Sequence, residues 1–452
     1  MNAVRPAAVA GMFYPGNPLS LAAEVDELLG GAENLAPRLS FPKALIVPHA
    51  GYIYSGPVAA RAYDEIAPAR GIVRRVVLLG PVHRVPVRGL AVPTAEAFAT
   101  PLGSVPIDRD ALRAVQDLPQ VVASDPAHAP EHSLEVQLPF LQKTLGEFAL
   151  GPFAVGMASV DEVAAVIGRL WGGVETLIVI STDLSHYHRY DEARAIDGAT
   201  IARVAGFATD LSHEEACGAT PLNGFLSVAR KRRLSIKLLA ACNSGDTAGG
   251  KGQVVGYSSF GLYEGGEVSL DEAGRTLLGI ARRSIEDELF QKPHSSSDAP
   301  WLKQSGATFV TLTRNGELRG CIGSLEAARP LGADVAENAR GAAFRDPRFP
   351  ALTPGEWPQY RIEVSLLSTP KPLRFADEAD LLAQIQAGED GLIIEADGRR
   401  GTFIPQVWEG LQDKRAFLKE LLKKAGLPDD TRLARCKVLR YRVVKWRENS
   451  TH

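Results

Sequence analysis

The chain has 452 residues, with 50 Lys plus Arg against 53 Asp plus Glu and a formal net charge of −3. A chain of this length exceeds one ordinary domain, so we expect two or three. The balanced charge does not favour binding to nucleic acid, which requires a basic face.

The sequence also lacks the patterns of membrane, secreted and disulfide-rich proteins. No stretch reaches the roughly 18 apolar residues that a membrane span needs, and the first residues lack the continuous apolar run of a secretory signal. None of the four cysteines forms a CxxC pair, so neither a disulfide framework nor a Cys-rich zinc site is expected. We therefore expect a soluble cytoplasmic protein that does not act at a membrane.

From the start to about Glu264, short apolar runs alternate with amphipathic segments. The predicted strands are KALIVPH, RRVVLLGPVH, ETLIVISTDLSH, IKLLAAC and GQVVGYSSFGLYE. The predicted helices include LAAEVDELLGG, HSLEVQLPFLQKTLG, DEVAAVIGRLWGG, DEARAIDGATIARVAGF and NGFLSVARKRR. This alternation predicts an α/β sandwich with a mainly parallel central sheet.

The composition changes around GGEVSLDEAG, where Ser269 or Asp271 can cap a new helix. We therefore predict one domain over residues 1–265 and a second over 269–449. In the second, hairpins with Asn-Gly and Asp-Gly turns are mixed with helices, which is typical of an α+β domain.

Three potential metal ligands follow apolar runs of the first half: His49, His83 and Cys242. In an open α/β sheet, ligands bind in the crevice at the carboxyl ends of the strands, so these side chains are expected to converge. Two imidazoles and a thiolate suit iron, copper or zinc. The alternative is two hydrogen-bonded histidines and a small buried cysteine, which is common in protein cores.

Two other segments carry candidate catalytic residues. In STDLSHYH, Asp183 and His186 are candidates for orienting a metal ligand or moving a proton, whereas His188 is predicted to lie on the surface. In EHSLEVQLPF, His132 is a candidate acid or base above the metal. The alternative for His132 and Glu135 is a helix N-terminus that favours acidic side chains.

The motif LRGCIG of the second half is a candidate binding surface, because glycines inside a strand mark a bulge or a close backbone approach. Its residues are Leu318, Arg319, Gly320, Cys321, Ile322 and Gly323. The alternative is an edge strand near a turn with a buried cysteine, and on chemistry alone we favour that alternative.

At these motifs the chain resembles known families. Residues 1 to about 265 resemble the Memo family, through GMFYP, PHAGYIYSG, LLGPVH, EHSLEVQLPF, STDLSHY and the Cys242 segment. Residues from about 269 to 449 resemble an AMMECR domain, through LRGCIG, AAFRDPRFPALT and GTFIPQVW. The two resemblances imply a fusion of the B and A components of the AmmeMemoRadiSam system, with its radical SAM protein as partner.

The Memo fold is similar to the LigB type of class III extradiol dioxygenases, which hold non-haem Fe(II) on two histidines and a glutamate. The resemblance implies that His49 and His83 match the two histidines and that Cys242 takes the place of the carboxylate. It further implies that His132, Asp183 and His186 line the pocket, with Fe²⁺ as first cofactor and copper or zinc as alternatives.

The leading hypothesis is an iron or copper redox protein, dioxygenase-like, acting with the radical SAM partner on a small-molecule or peptide substrate. A scaffold that binds metal or peptide without catalysis is the second hypothesis. A zinc-dependent hydrolase is the third, because three protein ligands and a bound water can hydrolyse.

Overall fold

The computed structural model describes residues 4–31, 37, 39–265, 268–292, 299–428 and 431–448. The chain divides into two compact units. The described residues of 1–33 and 41–267 form the first unit, and those of 34–40 and 268–452 form the second. Within the described ranges, no helix is both long enough and apolar enough to span a membrane. Residue 449, the predicted end of the second domain, lies outside the described residues.

The first unit is a mixed α/β fold. Its strands are β1 (Val4–Arg5), β2 (Ala44–Val47), β3 (Arg75–Pro81), β4 (Leu90–Val92), β5 (Ala97–Thr100), β6 (Gly103–Pro106), β7 (Val121–Ala123), β8 (Ala149–Val155), β9 (Thr176–Ser181), β10 (His186–His188), β11 (Ser235–Asn243) and β12 (Val254–Tyr263). Its helices are α1 (Pro18–Gly31), α2 (Tyr52–Glu65), α3 (Arg109–Val115), α4 (Asp125–His128), α5 (Leu138–Leu145), α6 (Val160–Arg169), α7 (Tyr190–Ala205) and α8 (Ala219–Lys231).

The main sheet has nine strands in the order β10-β12-β2-β9-β3-β8-β4-β7, with β11 paired to β12. Its centre is parallel, since β2, β9, β3 and β8 all run in one direction. The prediction of a mainly parallel sheet needs correction at the flanks, where β12 is antiparallel to β2 and β4 is antiparallel to β8. The connection between β11 and β12 is too short for the crossover that a parallel pair needs, so these two strands are also antiparallel.

The centre of the sheet is covered on both faces. Every residue of β2 and β9 is buried, and both strands read as continuous apolar runs. Helix α6 begins with a capping box, in which Ser159 accepts from the Glu162 backbone N–H and the Glu162 side chain accepts in return from Ser159. The four short strands β4 to β7 were not predicted, because runs of three or four residues show little periodicity.

The second unit begins with α9 (Leu270–Phe290), which Ser269 caps as predicted. Its other elements are β13 (Ser305–Gly306), β14 (Thr308–Arg314), β15 (Glu317–Gly323), β16 (Arg329–Pro330), α10 (Leu331–Arg340), β17 (Tyr360–Leu367), β18 (Lys371–Leu373), α11 (Glu378–Gln384), β19 (Gly391–Ala396), β20 (Arg399–Phe403), α12 (Lys414–Lys424), β21 (Lys437–Tyr441) and β22 (Val443–Arg447). A π-helical turn, Gly341–Arg345, extends α10.

Two antiparallel four-stranded sheets dominate this unit, in the orders β15-β14-β17-β22 and β18-β21-β19-β20. Both predicted hairpin turns are present, with positive φ at Asn315 (52°) and Asp397 (50°) followed by glycines that also have positive φ. The prediction of one tail strand was wrong. The chain leaves one sheet at Tyr441 and enters the other at Val443, because β21 pairs with β19 whereas β22 pairs with β17.

Candidate metal centre

Three adjacent parallel strands deliver polar side chains to one edge of the main sheet. Strands β2, β9 and β3 are neighbours in that order, and His49, Asp183 and His83 follow their carboxyl ends by two residues each. Because parallel strands end at the same edge, residues far apart in sequence meet there. Of the three side chains expected to converge, the structure brings His49 and His83 together, with Asp183 beside them.

Three imidazoles form a cluster that could hold a metal ion. One ring nitrogen from each of His49, His83 and His132 lies within 4.8 Å of the other two. The ring centroids are 5.1 Å apart for His49 and His83, 5.5 Å for His49 and His132, and 4.7 Å for His83 and His132. His132, predicted as an acid or base, is therefore placed where a third ligand would be.

Cys242 is not brought into this set of potential ligand atoms, although it was predicted as the third ligand. It lies on β11 opposite Tyr257 of β12, beyond the parallel centre of the sheet. Burial and the nearby Asp246 raise the pKa of the Cys242 thiol to about 11, so the thiol is protonated near neutral pH. The described residues thus form a three-histidine cluster, and ligation by Cys242 stays a prediction.

Hydrogen bonds determine which nitrogen of His49 carries the proton. The Ser181 hydroxyl donates its single proton to the Ser133 carbonyl (2.6 Å) and accepts from Gln137 Nε2 (2.9 Å). His49 Nδ1 lies 2.8 Å from the same oxygen and must therefore donate to it. His49 is consequently the Nδ1–H tautomer, and its Nε2 lone pair is left for a metal.

Glu131 has the same effect on His83 and also lies near His132. Its Oε1 lies 2.9 Å from His83 Nδ1 and 3.3 Å from His132 Nδ1. The carboxylate also accepts from the backbone N–H groups of His83, His132 and Ser133. Although burial raises its pKa, these donors outweigh burial and lower it to about 2. A carboxylate that holds the Nδ1 protons of ligand histidines is a recurrent feature of metal sites.

Burial disfavours the charged forms of His49 and His132. Desolvation, reinforced by the neighbouring histidines, lowers the pKa of His49 well below its usual value. Desolvation also lowers the pKa of His132 to about 4, despite the nearby Glu131. Neutral imidazole is the form that binds metals. The donor set therefore fits a borderline divalent metal such as iron, copper or zinc.

Asp183 and His186 lie beside the cluster. Asp183 accepts from the His49 backbone N–H at 2.7 Å, and its other oxygen lies 4.0 Å from His49 Nε2. Burial raises the pKa of Asp183 to about 7, opposed by hydrogen bonds and by the charge of His83. His186 Nδ1 lies 2.8 Å from the Leu184 carbonyl, so it is the donor and Nε2 is free to accept a proton. His188, predicted at the surface, pairs with the exposed Glu192.

The thiol of Cys217 contacts the cluster. This residue was not singled out from the sequence. Cys217, two residues before α8, places its Sγ 3.3 Å from His49 Nε2. The Asp183 backbone N–H donates to the same sulfur at 3.3 Å. Burial, followed by the charge of Asp183, raises the pKa of the Cys217 thiol to about 12. The sequence carries one weak signal for this residue, the glycine that follows it at the start of a helix.

The LRGCIG motif forms the edge strand β15, and packing accounts for its glycines. A Cβ on Gly320 would lie 2.1 Å from the Ala342 carbonyl oxygen, and one on Gly323 would lie 2.2 Å from the Phe309 ring. Two hydrogen bonds hold Cys321 in place. Its backbone N–H donates to Asp346, and the Thr311 hydroxyl donates to its Sγ at 3.3 Å. A binding role for this strand stays a prediction.

The family described as Memo-like protein matches residues 5–261, which is more than half of the chain. The chain belongs to the Memo-like family. The AMMECR1 family matches residues 278–446, so the order Memo-like then AMMECR1 is confirmed.

Two MEMO1 family proteins support the assignment to the Memo-like family. The Memo-like part is 38% identical over 268 residues to a MEMO1 family protein of Aquifex aeolicus, covering 56% of this chain and 97% of that protein. It is 35% identical over 284 residues to one of Methanopyrus kandleri, covering 58% and 99%. An uncharacterised protein of Pyrococcus horikoshii with a crystal structure is 34% identical, with a TM-score of 0.36, over 39% of this chain and 92% of that one.

Proposed function

We propose that this Memo-like chain is a metal-dependent redox protein whose ligands are His49, His83 and His132. The observation that carries the proposal is the convergence of three imidazoles with one ring nitrogen of each within 4.8 Å of the others. The hydrogen bonds to Ser181 and Glu131 hold the Nδ1 protons of His49 and His83, which leaves Nε2 of these two rings for the metal. Iron is the first candidate and copper the second, since imidazole suits both.

Three protein ligands are typical of catalytic metal sites, which keep a position open for water or substrate. Iron or copper bound there would supply a redox-active Lewis acid with an open position for a small molecule. Beside it, His186 would accept or return a proton at Nε2, because its Nδ1 proton is committed to the Leu184 carbonyl. Asp183 would position His49 through the hydrogen bond that it accepts from the His49 backbone N–H.

A zinc-dependent hydrolase is the second candidate. The ligand set of three histidines supports this function more than a set of two histidines and a thiolate would. Three histidines with a fourth, water-bound position are a known catalytic zinc arrangement. Metal identity separates the two functions, because zinc does not change oxidation state.

The first experiment is the metal content of protein purified without oxygen, for the wild type and for His49→Ala, His83→Ala, His132→Ala and Cys242→Ala. We expect near-stoichiometric iron or copper that is lost in the three histidine variants and kept in Cys242→Ala. His188→Ala is the matched control, because His188 pairs with Glu192 instead of joining the cluster. Stoichiometric zinc would favour the hydrolase, and metal indifferent to all three histidines would refute the site.

The AMMECR1 part has a supporting role in this proposal. It would present the exposed Leu318 of β15 and the neighbouring Arg319 to the substrate or to a radical SAM partner. Cross-linking of the whole chain to that partner, compared between the wild type and Leu318→Asp, tests this role. Undiminished cross-linking in the variant would remove β15 from the interface.

A further inference from the structure

The Cys217 thiol contacts His49 Nε2, the ring nitrogen that is left for a metal. Its Sγ is 3.3 Å from Nε2, inside the first unit and beside the buried Asp183. Because the Nδ1–H of His49 donates a hydrogen bond to Ser181, Nε2 has a lone pair and no proton. The contact between sulfur and nitrogen therefore requires the thiol to be the donor.

The Asp183 carbonyl and the Thr182 hydroxyl are farther from the thiol, and each already accepts a hydrogen bond. The Asp183 carbonyl is 3.7 Å from Sγ and accepts both the Thr182 hydroxyl and the Cys217 backbone N–H. The Thr182 hydroxyl oxygen is 3.9 Å from Sγ and accepts from the Gly218 backbone N–H. His49 Nε2 is thus the nearest acceptor and carries the free lone pair.

Cys217 does not belong to the set of ligand atoms that lie within 4.8 Å of one another. The Cys217 thiol would therefore compete with a metal held by the three histidines. Both would use the same lone pair on His49 Nε2. We propose that Cys217 is a positioning residue, whose S–H occupies the metal-facing nitrogen of His49 and must release it before a metal binds. This inference rests on the proposed metal site.

The proposal predicts weaker metal binding than the three histidines alone would give. A neutral hydrogen bond of ordinary strength corresponds to a factor of about five in affinity. We expect Cys217→Ala to bind Zn²⁺ about five-fold more tightly than the wild type, measured by competition with a chromogenic chelator. Cys217→Ser retains a donor and should stay near the wild type, which separates a hydrogen-bond effect from a packing effect.

The thiol itself can be observed directly, because S–H stretching falls in a region of the infrared spectrum that is otherwise clear in proteins. In the metal-free protein we expect a band shifted to low frequency by hydrogen bonding, absent in both Cys217→Ser and Cys217→Ala. Zn²⁺ should move this band to the frequency of a free thiol without removing it, because the displaced thiol keeps its proton. Cys242→Ala, which alters a thiol outside the contact, should leave the band unchanged.

Each result decides the inference. Loss of the band on adding Zn²⁺, or weaker Zn²⁺ binding by Cys217→Ala, would mean that Cys217 is a ligand and would overturn the proposal. An unshifted band in the metal-free wild type, or equal Zn²⁺ affinity in all three proteins, would also overturn it. A shifted band together with no Zn²⁺ uptake by any variant would refute the metal function itself, and with it the competition.

Discussion

Replacing Glu131 with glutamine tests whether one buried carboxylate organises the candidate metal centre. Glu131 is 1% exposed and accepts from His83 Nδ1 and from three backbone N–H groups. Its pKa is lowered from 4.5 to about 2, so the folded state favours the charged form. At about 1.4 kcal/mol per pKa unit, this preference is worth about 3 kcal/mol.

We expect Glu131→Gln to lower the free energy of unfolding of the metal-free protein by about 3 kcal/mol at pH 7. The contribution is present above pH 4.5 and is lost as the pH falls towards 2, because the folded pKa lies below the unfolded one. The variant should therefore show a flatter loss of stability over that range. Urea denaturation followed by circular dichroism at several pH values measures both effects.

The same substitution should weaken metal binding by about 10- to 100-fold, the usual cost of losing a carboxylate behind a ligand histidine. Glu135→Gln is the matched control. Glu135 is fully buried and accepts from Arg5 and Tyr14 at 2.6 Å each, so its loss should also destabilise the fold. It holds no Nδ1 proton of the cluster. Equal losses of metal affinity in the two variants would refute the role assigned to Glu131.

Three further predictions concern the rest of the chain. Burial lowers the pKa of His128 to about 4, so the folded state should lose about 3 kcal/mol as the pH falls from 6.5 to 4, and His128→Gln should flatten that part of the Tm profile. Gly320→Ala should destabilise the second unit by about 3 kcal/mol, since its Cβ would meet the Ala342 carbonyl, and an unchanged Tm would contradict the packing explanation. Arg348→Ala, which strips two donors from the buried Asp346, should cost about 2 kcal/mol in urea denaturation. The control for Arg348→Ala is Arg345→Ala, which removes an exposed ion pair with Glu337. It should lower the free energy of unfolding by less than about 1 kcal/mol.

The parts of the fold that could be predicted are those with strong local patterns. Buried strands such as β2 and β9 are continuous apolar runs, and the Asn315 and Asp397 turns follow from residues that tolerate positive φ. Strand direction at the flanks of the main sheet could not be predicted, because it depends on which strands become neighbours. The break at Arg442 was missed for the same reason, since the tail reads as one strand locally although it serves two sheets.

The candidate site could be predicted only in part. Residues that follow adjacent parallel strands were recognisable, and the structure brings His49, His83 and Asp183 together as expected. His132 was placed in the pocket but given another role, because its position in the loop before a short helix does not reveal its distance from the other rings. Glu131 and Cys217 were missed, because each acts through contacts with residues about 50 or more positions away along the chain.

The tautomers of the histidines follow from hydrogen bonds that no sequence pattern contains. Ser181 donates to Ser133, so it can only accept from His49, and Glu131 can only accept from His83 because its carboxylate is ionised. In both rings Nε2 is then the nitrogen that is left to bind a metal. A cluster of histidines meeting by chance in a core would not need the Nδ1 protons of both His49 and His83 to be held by oxygens. This arrangement of acceptors, more than the presence of three histidines, is why we propose metal binding at this edge of the sheet.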